Sequence, residues 1–111
     1  ELASAGVQPG LMTLPPIDGQ RYFQFISRRA EGGSILRWLG DVGRIYRHQE
    51  LYSDAVAALA MTEGLPLIDV RRQFLPMRDL SRYIAADGIH LTMTGYRCLF
   101  DTLAGWIRER L

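Results

Sequence analysis

Two short apolar runs, each bounded by proline, with a helix-length amphipathic segment between them, constrain this chain more than any other feature. The first run, Leu11, Met12 and Leu14, stops at Pro15-Pro16, which cannot continue a hydrogen-bonded ladder. Asp41 then offers a helix N-cap, and Ile45, Tyr52, Val56 and Leu59 recur at helical spacing until Gly64-Leu65-Pro66 ends the run. The second apolar run, Pro66-Leu67-Ile68-Asp69-Val70, follows at once. Strand, helix, strand in that order predicts a crossover unit with parallel strands, an α/β fold. At 111 residues, 48% hydrophobic and 23% charged, the chain has the composition of one globular unit. A unit so small buries a reduced share of its surface, and its sheet is expected to need partners.

Around this unit the punctuation is denser. Glu1 to Gly6 reads as the end of a helix closed by Gly6, so the chain is expected to begin inside a domain. Ile17-Asp18-Gly19 marks a turn, Arg21 to Ile26 a short helix or turn, and Glu31-Gly32-Gly33-Ser34 a loop. Arg71 to Ala86 forms a second long connection, with one turn of helix over Asp79 to Ile84. A final helix starts at Thr92 or Thr94 and points Tyr96, Leu99, Phe100, Leu103 and Ile107 inward.

Thirteen basic and twelve acidic residues leave a net charge of +1, which gives no field to attract a polyanion and argues against a nucleic-acid partner. The pairs Arg28-Arg29 and Arg71-Arg72 read as solvated loop charge. Cys98 is the single cysteine, so neither an internal disulfide nor a cysteine-based zinc site is available. It reads as a structural thiol, compatible with a reducing compartment and slightly favouring a cytoplasmic location. No apolar run is long enough for a membrane span, and no charged-then-apolar signal segment opens the chain.

The chemistry gathers at Asp87-Gly88-Ile89-His90, in a loop just ahead of the last helix. Gly88 lets the backbone turn tightly enough for the carboxylate to reach back to the ring. A carboxylate that accepts from Nδ1–H fixes the tautomer and leaves Nε2 as a base, which makes the pair an orienter and a general base without a nucleophile. An Asp-x-x-His spacing alone more often serves to turn a loop and pack or cap a helix. What raises it is the setting: strand, long loop, Asp-Gly-Ile-His-Leu, Gly95 and an amphipathic helix.

That setting resembles the last signature block of the SGNH/GDSL hydrolase family, in which Asp-x-x-His precedes the terminal helix. Asp87 and His90 match it position by position, and Leu91-Thr92-Met93-Thr94-Gly95-Tyr96 matches its usual continuation. Leu11 to Pro16 looks like the family's fourth strand, Tyr46 to Glu63 like the helix before the fifth, and Leu67 to Val70 like the fifth. The likeness therefore covers nearly all 111 residues. The family's earlier blocks are missing. There is no Gly-Asp-Ser, no oxyanion Gly block and no Asn anywhere, and the serines at 4, 27, 34, 53 and 81 all lack a strand-to-helix setting.

The resemblance thus implies that residues 1–111 are the C-terminal portion of a flavodoxin-like three-layer α/β/α sandwich with parallel strands. It implies Asp87 and His90 as two members of a catalytic triad, no cofactor and no metal. It also implies a small ester substrate, a lipid or acylated sugar, and a sheet completed by the missing N-terminal part or by another copy of the chain. The rival expectation is a non-catalytic, hydrolase-like binding or interaction module.

Three further readings stay open in the sequence. His48 is a surface or half-buried helical histidine, or else a metal ligand with Asp87 and His90. Asp69 caps the turn that follows it, or lines a cleft at the carboxyl end of a strand. Tyr22, Phe23, Phe25 and Trp38 line an acyl or sugar pocket, or pack their loop down.

Overall fold

A computed structural model describes all 111 residues as a mixed α/β chain that is mostly helical. Its only sheet has two parallel strands, β1 (Leu11–Met12) and β2 (Leu67–Ile68), in register Leu11 to Leu67 and Met12 to Ile68. The helices are α1 (Gly19–Ser27), α2 (Gly32–Leu39), α3 (Gly43–Glu63), α4 (Val70–Phe74) and α5 (Met93–Arg110). Single 3-10 turns occur at Ala3–Ala5, closed by a left-handed Gly6, and at Leu80–Arg82.

The parallel pairing follows from the two proline-bounded runs. Leu11 N–H donates to Pro66 O at 2.9 Å and Thr13 N–H to Ile68 O at 3.1 Å, after which Pro15 and Pro16 offer no donor. Buried Thr13 then locks the junction: its hydroxyl donates to Asp69 Oδ1 at 3.0 Å and accepts from Arg71 N–H at 3.0 Å. The second run is shorter as a strand than its apolar content suggests. Asp69 accepts from Arg72 N–H and so caps α4, which takes Val70 into a helix.

Crossover helix α3 lies against β1 along its small and polar side. Buried Ser53 accepts from Leu14 N–H at 3.1 Å, Gln49 donates to Pro15 O at 3.0 Å, and Ala60 is buried further along. Asp41 binds Arg44 N–H at the helix start, and Gly64 closes the end at φ 64°. Of the residues at helical spacing, Ile45 and Val56 are half-buried, whereas Tyr52 and Leu59 are 63% and 51% exposed, because Ser53 is the residue that meets the end of the strand.

The same happens on α5. Thr92 caps it by accepting from Gly95 N–H at 3.1 Å, and its inner side runs from buried Gly95 through half-buried Cys98, Leu99 and Trp106. Tyr96, Phe100 and Ile107, expected inside, are 47%, 68% and 51% exposed. Gly95 explains the choice of face: a Cβ there would lie 2.3 Å from Tyr83 O, so only glycine lets α5 approach that backbone.

Two loop readings are also corrected. Glu31 to Ser34 is the start of α2, and Arg71-Arg72 lies on α4, where Arg71 Nε donates to Glu50 Oε2 at 2.5 Å in a half-buried pair between α3 and α4. The resulting core is small. Ten of 111 residues are buried, with Leu39, Val70, Phe74 and Ile84 its larger members and Phe74 edge-on to Tyr83. No helix is long and apolar enough to cross a membrane.

Candidate functional site

Asp87 and His90 sit in a loop that is fastened from both sides. From within, Ile84 and Leu91 form an antiparallel bridge, Ala85 N–H donates to His90 O at 2.8 Å, and Thr92 N–H donates to Tyr83 O at 2.9 Å. From outside, the start of α1 holds it: Asp18 N–H donates to Gly88 O at 2.9 Å, and the Arg21 guanidinium reaches Ile84 O at 2.8 Å. Asp18 in turn caps α1 through Arg21 N–H and pairs with the Arg21 side chain at 3.5 Å.

Gly88 is the point of closest approach. It is buried, its φ is +83°, and a Cβ there would stand 2.4 Å from Tyr22 N and 2.5 Å from Asp18 O. Both the left-handed backbone and the contact demand glycine, for a reason beyond the local turn expected from sequence.

The clamped loop brings the two side chains together. Asp87 Oδ2 meets His90 Nδ1 at 2.5 Å, while Oδ1 accepts from the N–H groups of Ile89 and His90, each at 3.0 Å. The hydrogen bond from His90, with those backbone donors, holds the Asp87 carboxyl down to about 2 against an ordinary 3.8. An ionised carboxylate on Nδ1 places that proton on Nδ1 and leaves Nε2, which has no partner in the chain, as the basic nitrogen. Asp87 is 20% exposed and His90 67%. The ring therefore faces outward from a rigid base.

No serine reaches it. Ser4 donates to Glu1 O, Ser34 accepts from Arg37, Ser53 is bound to Leu14, and Ser81 is bound to Asp79. Ser27 Oγ is buried without a partner beside Gly32. The Cys98 thiol is half-buried on α5 and pushed up by that burial, with Asp101 adding to the effect.

The remaining sequence readings separate. Asp69 is a cap. His48 is an exposed residue of α3 whose Nε2 accepts from Arg44 Nε at 3.3 Å, and no three His, Cys, Asp or Glu side chains come together as a metal cluster. Tyr22 and Trp38 line an open cleft of about 420 Å³ together with Ile89, whereas Phe23 and Phe25 do not; Phe25 lies under the Arg29 guanidinium. Asp18 and Arg21, which hold the loop of Asp87 and His90, were missed. An Asp just ahead of a helix is a visible cap signal, but nothing in the sequence says that this cap faces Gly88 across 70 residues.

Family models searched with this sequence give no match, and no curated protein matches it.

Proposed function

We propose that the chain supplies the acid and the base of a serine ester hydrolase of the SGNH/GDSL kind. The observation that carries this is the pairing of an ionised Asp87 with His90 Nδ1 at 2.5 Å on a clamped loop, leaving Nε2 free. In the reaction, Nε2 takes the proton of a serine hydroxyl while the serine oxygen attacks the ester carbonyl. The protonated ring then gives that proton to the departing alcohol, and water releases the acyl group by the same steps in reverse order of roles. Asp87 keeps the ring oriented and offsets its transient charge.

The serine must come from another body, and the shape of the surface supports one. A folded monomer of this mass exposes roughly 6,200 Å² and has a radius of gyration of about 13 Å. This chain exposes 7859 Å² with a radius of 16.5 Å. The excess, on the order of 1,600 Å², is about twice what one side of a standard interface buries. It is apolar where a cover is needed: the Tyr96, Phe100 and Ile107 stripe of α5, and a two-stranded sheet whose strands each keep an unpaired edge. We infer that further strands and helices complete a flavodoxin-like three-layer sandwich on that surface and enclose His90, with the nucleophile among them. A small ester, of a lipid or an acylated sugar, is the substrate class.

In a longer protein that contains this chain, His90→Ala should reduce ester turnover by about three orders of magnitude or more with the circular dichroism spectrum unchanged. Unaltered turnover would leave a binding module in place of a hydrolase.

A further inference from the structure

The cleft beside Ile89 is built for a ligand of a particular kind. Its volume of about 420 Å³ lies within the range of small-molecule sites. Tyr22, Trp38, Leu39, Ile45, Tyr52 and Ile89 give it apolar and aromatic walls drawn from α1, α2, α3 and the catalytic loop. Only Leu39 of these is buried, while Trp38 is 81% and Tyr52 63% exposed, so these two rings line an open face and do not pack the chain together. Trp and Tyr in that situation offer rigid surface for a flat apolar group.

The lining contains no carboxylate, and its one permanent charge is Arg44. Arg44 Nη1 donates to Leu39 O at 3.1 Å and Nε to His48 Nε2 at 3.3 Å, which fixes the guanidinium without neutralising it. It takes part in none of the ion pairs of the chain. Its remaining N–H donors are available to an anionic group held against the aromatic walls.

Ile89 ties this cleft to the chemistry. Its side chain lines the cleft, its N–H donates to Asp87 Oδ1, and the next residue is His90. We propose that the cleft binds the flat apolar portion of an anionic ester, an aryl or medium-length acyl group carrying a carboxylate, with Arg44 holding the charge. Only the word ester rests on the hydrolase reading; the binding does not.

The test uses the 111-residue chain and two probes, 4-phenylbutanoate and the neutral 4-phenylbutan-1-ol, followed by the two tryptophan indole N–H resonances. Both probes should move the Trp38 signal and leave that of Trp106 in place, with the anion binding more tightly at low ionic strength. Arg44→Gln should weaken the anion at least about fivefold and leave the alcohol unchanged. A Trp38 signal that never moves at millimolar probe overturns the proposal, as does equal affinity for both probes with no effect of Arg44→Gln. Turnover enters none of these readouts and is measured separately, in the longer protein. Binding that persists while His90→Ala leaves that protein's turnover intact removes the hydrolase reading alone, and lost binding with turnover still dependent on His90 removes this proposal alone.

Discussion

Replacing Gly88 by alanine should destabilise the chain by about 2–4 kcal/mol, a large figure for one methyl group. Adopting φ near +83° costs an alanine roughly 1–2 kcal/mol. The new Cβ would then lie 2.4 Å from Tyr22 N and 2.5 Å from Asp18 O, both backbone atoms that cannot rotate aside. The loop must retreat from α1, which breaks the Asp18 N–H to Gly88 O bond and strains the Arg21 contact to Ile84 O, for roughly 0.5–1.5 kcal/mol each. A less flexible unfolded chain returns about 0.4–1 kcal/mol. Domains are stable by only about 5–15 kcal/mol, and a chain with ten buried residues sits low in that range. Urea denaturation followed by circular dichroism should therefore show a clear fall in midpoint with the slope unchanged. The His90 ring signals should broaden or shift as the loop loosens. The informative control is Gly105→Ala on α5, where a Cβ meets nothing within 4 Å and the helix should gain about 0.5–1 kcal/mol. A Gly88→Ala midpoint within error of the parent's would refute the clamp between α1 and the Asp87–His90 loop.

Three other outcomes are expected. The Asp87 carboxyl, held at about 2 in the folded chain, should titrate there by carbon NMR and return toward its ordinary 3.8 in His90→Ala; because the folded value is the lower one, its stabilising contribution is complete above about pH 4 and fades as pH falls toward 2. Glu50→Ala strands Arg71 at a site where the two side chains are 18% and 31% exposed, and should cost about 1–2 kcal/mol in denaturant unfolding, more than the near-zero cost of Arg47→Ala at its exposed pair with Asp41, which leaves the Asp41 bond to Arg44 N–H in place. Phe100→Ser, on a residue already 68% exposed, should change the unfolding free energy by less than about 0.5 kcal/mol while reducing apolar-dye binding or self-association of the isolated chain; a large stability loss would mean that the α5 stripe is packed within this chain after all.

What the sequence disclosed and what it hid follow one physical line. Signals that act locally came through: the prolines after Leu14, the Gly64 stop, the Thr92 cap, and an Asp and His three apart across a glycine, which the backbone does bring together. The apolar stripes on α3 and α5 were also legible, yet inferring from the second which face is buried failed at Tyr96, Phe100 and Ile107. Periodicity reports which face of a helix wants cover. It says nothing of whether the cover belongs to the same chain, and here Ser53, Ala60 and Gly95 take the inner side because small residues let the backbones approach. Contacts distant in sequence were silent for a related reason, since neither the Asp18 to Gly88 bond nor the Glu50 to Arg71 pair has a local pattern to announce it. The misplaced stripe is therefore the more useful signal. A helix whose periodic apolar face is left in solvent, on a chain with surface to spare, is the surface on which a covering element of the kind proposed above would pack.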